Sequence, residues 1–203
     1  MRILITVSHA VKNQGDWALE LQWDSLRKAE QLQRLGTMGF IKRVTVKGKK
    51  SKASDVDFAY ARVPNDVRPQ LQVLSTSGEI LRGEEKKDFT LSDIVTPSAD
   101  ESYAFWGLTE PNFYAGNLTR TVKEELNMRY VGRAGQDLLE FQTQKPYLSY
   151  KPYKGCSGGP ITDSQGRLAA IVVEGNKRKT SILGLDLMRY RSMIEMQSDP
   201  NFT

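Results

Sequence analysis

Short runs in which apolar and polar residues alternate one for one, divided by turn-forming clusters, govern what this chain can fold into. Ile3, Ile5 and Val7 alternate with Leu4, Thr6 and Ser8. The same period recurs in FIKRVTV (40–46), VDFAYARV (56–63), LQVLS (71–75), SYAFWGL (102–108), LTRTVKEE (118–125), LLEFQT (138–143), RLAAIVVEG (167–175) and TSILGLDL (180–187). Successive side chains of a strand point to opposite faces, so this pattern specifies half-buried strands. Many such strands with turn residues between them indicate an all-β barrel or sandwich. Two segments break the period. DSLRKAEQLQRL (24–35) predicts a helix, with Asp24 as N-cap, Leu26, Leu32 and Leu35 on one face, and Gly36 as the stop. MRYRSMIEM (188–196) predicts a short C-terminal helix. The polar, turn-rich stretch 76–100 is the expected connection between two lobes, 1–90 and 91–187.

The chain has 203 residues with one cysteine, one histidine and a formal net charge of +5. A single Cys156 forbids an intrachain disulfide, and with His9 alone neither a cysteine-rich nor a histidine-rich metal site can be built, so no metal and no cofactor is expected. That framework suits a reducing, cytoplasmic compartment. No apolar run approaches the length needed to span a membrane. The positive charge clusters in 42–52 (Lys42, Arg43, Lys47, Lys49, Lys50, Lys52), which reads as a solvated hairpin. It lacks the interleaved aromatic residues that single-strand nucleic-acid binders use for stacking, so nucleic acid is not the expected partner.

The most specific stretch is KGCSGGPI (154–161), in which three glycines and a proline surround Ser157. Glycine and proline at this density mark a tightly specified turn. A serine hydroxyl becomes a nucleophile only beside a base and a group that orients the base. It also needs backbone N–H donors aimed at the developing oxyanion. A turn of this composition can aim the N–H groups of Gly155 and Ser157 inward and leave open approach over Gly158 and Gly159. The base can only be His9, in TVSHAV. The acid falls in DVDFAYARV, where Asp57 is favoured over Asp55, two residues away on the same strand.

GCSGGP resembles the nucleophile motif of the trypsin/chymotrypsin-like serine proteases. TVSHAV is similar to their histidine strand end and DFAYARV to their aspartate strand, in the same order. The absence of disulfides makes the chain more similar to bacterial members, such as the high-temperature-requirement proteases. The resemblance implies two antiparallel six-stranded barrels with a His9, Asp57, Ser157 triad in the cleft between them, and a protein or peptide substrate. It implies a primary pocket near Lys151 and substrate pairing along Val173, Glu174 and Gly175. Lys151 and Glu174 would favour opposite charges, so no specificity follows. Cys156 stands where digestive members carry an aspartate that pairs with a new N-terminus, so that zymogen switch is not expected. Only eight residues precede His9, room for one strand. The first barrel is therefore expected to lack its N-terminal strands, and to be open or completed by an upstream segment, a partner chain or the 13–38 insert. Two other readings of the whole chain stay open: a catalytically silent protease-like binding module and a basic nucleic-acid-binding barrel.

Overall fold

The computed structural model describes residues 1–12, 17–24, 29–47, 50–69, 73–74, 80–81, 86–109, 112–114, 117–119, 122–146, 153–176 and 180–202. The first lobe contains β1 (Arg2–Thr6), the single helical turn α1 (Ser8–Val11), β2 (Ala18–Asp24), β3 (Ala29–Arg34), β4 (Gly39–Lys47), β5 (Lys50–Val63), β6 (Val73–Leu74) and β7 (Ile80–Leu81). The second contains β8 (Ser102–Leu108), β9 (Asn112–Tyr114), β10 (Asn117–Thr119), β11 (Val122–Arg133), β12 (Leu138–Gln142), β13 (Pro160–Asp163), β14 (Leu168–Asn176) and β15 (Ser181–Asp186). The chain ends in a 3-10 turn over Leu187–Tyr190 and the helix α2 (Arg191–Ser198). The C-terminal helix thus forms where expected, one turn later than its sequence pattern suggests.

The second lobe is a closed antiparallel barrel in the order β11-β12-β15-β14-β13-β8. Its interior is filled from every wall: Phe105, Met128, Leu139, Phe141, Ile161, Ala170 and Ile182 are all buried in one cluster. Tyr103 meets Phe141 edge-on at 5.1 Å between ring centroids, a favoured aromatic geometry. Gly184 sits at the tightest point. A Cβ there would approach Ala170 Cβ to 2.7 Å and Ile161 Cδ1 to 2.9 Å.

The first lobe does not close among the described residues. Its main sheet has three strands in the order β1-β5-β4, with β2-β3 and β6-β7 as separate two-stranded ribbons. Among the described residues, then, one barrel closes, that of the second lobe. The helix expected over 24–35 does not form. Ala29–Arg34 is a strand paired antiparallel to Ala18–Asp24, with Leu19 opposite Gln33 and Trp23 opposite Glu30. Six residues of antiparallel ladder satisfy the backbone as a helix would. The spacing of three leucines cannot discriminate between the two, because the pairing that decides is with the preceding strand and not within the segment.

A second apolar cluster joins the lobes. Val7, Val56 and Phe58 from the first sheet pack with Ile94, Leu168, Ile171, Val173, Leu185, Leu187 and Ile194 from the second lobe and the C-terminal segment. A polar clamp lies beside it. The guanidinium of Arg43, on β4, donates to the Asp137 carboxylate, to Gln136 Oε1 at 2.8 Å and to the Tyr190 hydroxyl at 3.2 Å. Tyr190 in turn donates to Asp137 Oδ1 at 2.7 Å. Arg43 is therefore a member of the basic run that is not simply solvated.

Because the Gly184 site has no room for a methyl group, Gly184→Ala is expected to destabilise the protein by about 1–3 kcal/mol through overpacking. A denaturant titration would show this as a lower midpoint at unchanged slope; an unchanged midpoint would mean the barrel wall yields freely.

Candidate functional site

Buried neighbours in sequence fix each of the three predicted triad residues. On β5 the burial alternates, so Val56 and Phe58 face the shared core while Asp57 between them faces the cleft. The fully buried Val7 follows the last residue of β1, and the single turn of α1 then swings His9 over Asp57. Ser157 follows Cys156, which is 1% exposed in the barrel core.

The result is a linear array. His9 Nδ1 lies 2.7 Å from Asp57 Oδ2, and His9 Nε2 lies 3.1 Å from Ser157 Oγ. A carboxylate only accepts, so Nδ1 carries the ring hydrogen and Nε2 is left as a lone-pair acceptor. Asp57 Oδ1 accepts two further bonds, from the His9 backbone N–H at 2.9 Å and the Ser8 hydroxyl at 2.9 Å. Burial pushes the Asp57 carboxyl up. The backbone N–H of His9, its ring and the Ser8 hydroxyl together outweigh that and hold the carboxyl below its ordinary value. Asp55 does not compete: its carboxylate pairs at the surface with Lys12. Ser8 was not singled out by sequence reasoning, and its only signal is adjacency to the histidine.

The turn that carries Ser157 is stitched to β14. Gly158 N–H donates to Val172 O at 2.8 Å, and Val172 N–H donates to Gly159 O at 2.8 Å. Gly155 and Gly158 have φ of 95° and 90°, values that L side chains rarely adopt. A Cβ on Gly158 would also run into Thr6 Oγ1 at 2.5 Å. Among the described residues no acceptor takes the backbone N–H of Gly155 or of Ser157, which leaves both expected oxyanion donors available. Ser157 Oγ also lies 3.1 Å from Val173 O. Burial pushes the Cys156 thiol up, with Lys123 lowering it in part.

Of the expected substrate contacts, Val173, Glu174 and Gly175 lie at the end of β14. Pro160 of β13 pairs with Ile171. Beyond Val172, β14 pairs with β15 alone among the described residues, and none of these pairs with the other edge at Glu174 and Gly175. Lys151 lies outside the described residues. A cavity of about 690 Å³ opens on His9, Gly155 and Ser157. Another, of about 530 Å³, lies behind β1 and reaches neither His9 nor Ser157. No group of three or more metal-ligating side chains occurs among the described residues, and no described helix is long and apolar enough to cross a membrane.

No family model and no curated protein matches the chain. Among solved structures it is similar to neuropsin, a serine protease expressed in the limbic system of mouse brain, with 13% identity, a TM-score of 0.55 and coverage of 98% of this chain and 85% of that one. The protease domain of MamO from Magnetospirillum magneticum aligns at 14% identity and a TM-score of 0.43, over 94% of this chain and 82% of that one. Tobacco etch virus protease aligns at 14% identity and a TM-score of 0.44, over 98% and 68%. At this level of identity the likeness to neuropsin carries the fold and not the activity. The chain has the fold of the trypsin/chymotrypsin-like serine proteases.

Proposed function

We propose that the protein is a serine endopeptidase that cleaves peptide bonds through a Ser157 acyl-enzyme. The observation that carries this reading is the continuous array Asp57–His9–Ser157, with 2.7 Å and 3.1 Å between the reacting heteroatoms. These are the distances that general-base catalysis requires. In the proposed reaction, Ser157 Oγ attacks the scissile carbonyl and passes its proton to His9 Nε2. Asp57 holds the ring in the tautomer that leaves Nε2 free and stabilises the imidazolium that forms. The N–H groups of Gly155 and Ser157 receive the oxyanion. His9 then gives the proton to the leaving amine, and water repeats the sequence on the acyl-enzyme. The acyl half of the substrate adds as a strand along the edge of β14 at Val173, Glu174 and Gly175.

Serine, and not the adjacent cysteine, is assigned as nucleophile because the two residues have opposite surroundings. Ser157 Oγ is within reach of His9. Cys156 is buried among barrel side chains with its thiol pushed up, which disfavours the thiolate. Substrates are proteins or peptides, and the reaction as proposed calls on no cofactor.

Ser157→Ala is expected to reduce peptide hydrolysis at least about a thousandfold with the melting transition unchanged. Cys156→Ala should cost far less activity. Inactivation by a thiol alkylator but not by a fluorophosphonate would assign the wrong residue. Asp57→Asn is expected to lower turnover about a thousandfold or more, and Asp55→Asn only slightly, since Asp55 faces Lys12. Equal losses at the two positions would remove Asp57 from its orienting role.

The Asp57 carboxyl also predicts a pH dependence. Its folded-state value is lowered, so its contribution to stability is complete above the ordinary carboxylate range and is lost as the pH falls through the folded value. The stability gap between the wild type and Asp57→Asn should therefore be widest near neutral pH and narrow below about pH 4. Melting curves across pH would reveal it; a gap that widens on acidification would contradict the assigned hydrogen bonds.

A further inference from the structure

We propose that the cavity beside Ser157 is the pocket for the leaving-group half of the substrate, and that it selects an apolar side chain there. The inference rests on the serine peptidase reading above and adds to it a substrate class.

The chemistry decides which half of the substrate the cavity serves. The amine departs with the proton that His9 releases, so the amine half lies on the His9 side of Ser157. The acyl half runs along β14. The cavity is walled by His9, Ala10 and Val11 of α1 and by residues on and flanking the β2–β3 hairpin, while Val173, Glu174 and Gly175 form no part of its wall. It therefore opens on the amine side.

The walls decide what it holds. Val11, Trp17, Leu19, Leu35 and Met38 converge there, and among the described residues no carboxylate lines the wall. Among the described residues, the charged or ionisable side chains on the wall are the exposed Lys154 and His9 itself. A volume of about 690 Å³ falls within the range of ligand pockets, roughly 300–1,000 Å³. Trp17 adds a polar handle. Its indole N–H is buried with no acceptor among the described residues, so a rotation of the ring toward a carbonyl of the bound chain breaks no existing hydrogen bond. The walls also follow from the fold. Trp17, Leu19, Leu35 and Met38 reach the site because segment 29–34 is a strand folded back on 18–24, with Leu35 N–H bonded to Trp17 O at 2.8 Å.

Acyl transfer tests the pocket without knowledge of a natural cleavage sequence. p-Nitrophenyl acetate acylates Ser157: the ester C–O bond breaks, the bond from Ser157 Oγ to the acetyl carbon forms, the hydroxyl proton passes to His9, and p-nitrophenolate leaves. An added amine then attacks the acetyl carbonyl. Its proton passes through His9 to Ser157 Oγ, and an N-acetyl amide departs in place of acetate. By microscopic reversibility that amine occupies the leaving-group site. Leucinamide is expected to capture the acetyl group at least about tenfold more efficiently than glycinamide, the scale of discrimination an apolar pocket provides. The α-amide of aspartic acid should do no better than glycinamide. In Met38→Lys and in Leu35→Ala the leucinamide-to-glycinamide ratio should fall toward one. The wild-type ratio is decisive by itself if either variant fails to fold. A nitrophenol burst that depends on Ser157 but is followed by equal capture of all three amines overturns the pocket alone. So does preferred capture of the aspartic amide. No burst, or a burst undiminished in Ser157→Ala, overturns the peptidase reading together with the pocket.

Discussion

The apolar cluster shared by the two lobes is the constraint on which the site geometry rests. Its members from the first sheet are Val7, Val56 and Phe58. Val7 lies two residues before His9, and the other two flank Asp57. Each fully buried side chain of this size contributes on the order of 1.5–3 kcal/mol relative to exposure. The partners across the cleft, Ile171, Val173 and Leu185, belong to the closed barrel, and Val173 also borders Ser157 through its carbonyl oxygen. The same burial that docks an open sheet on a closed barrel thus fixes the spacing between His9 and Ser157.

The polar clamp works on the same interface. Arg43, Asp137 and Tyr190 come from β4, the turn after β11 and the C-terminal segment. Burial first, and then the bond to Asp137, push the Tyr190 hydroxyl up to about 12, so it remains a donor at any physiological pH. Burial raises the Asp137 carboxyl, and the bonds from Arg43 and Tyr190 outweigh it. The Tyr190 ring packs against Phe58 with 5.3 Å between centroids, one residue from Asp57. A charge pair spanning the lobes is thereby tied by a single aromatic contact to the strand that carries the acid. Such a pair adds less to net stability than to alignment, because desolvation offsets much of its attraction.

At the site itself one proton has two acceptors. Ser157 Oγ lies 3.1 Å from both His9 Nε2 and Val173 O, and a hydroxyl has one hydrogen to give. Asp57 biases the choice by keeping the ring hydrogen on Nδ1, which leaves Nε2 basic. Asp57 is itself held by the His9 N–H and the Ser8 hydroxyl. The alternative acceptor belongs to β14, the strand along which the proposed substrate would pair.

Much of this was legible in the sequence because it is encoded locally. Period-two burial marks β8 and the second half of β5 directly, and the glycines around Ser157 match a turn whose φ values at Gly155 and Gly158 call for them. What escaped depends on pairing that no local period records, between neighbouring strands in one case and between distant segments in another. Residues 24–35 carry leucines at a spacing a helix would accept, and only the ladder to Ala18–Asp24 makes the segment a strand. With it went the walls of the cavity, since Trp17 and Met38 converge only once the hairpin forms. Arg43 sits in a run of lysines that looks uniformly solvated, and its partners lie 93 and 147 residues away. Asp55 and Asp57 were separable only in part, because both occupy the same strand and alternate with apolar residues. The geometry separates them by their partners. Lys12, one turn beyond His9, takes Asp55 to the surface. Three donors from Ser8 and His9 converge on Asp57 instead. A carboxylate that is half withdrawn from solvent stays charged only with donors of that number and placement.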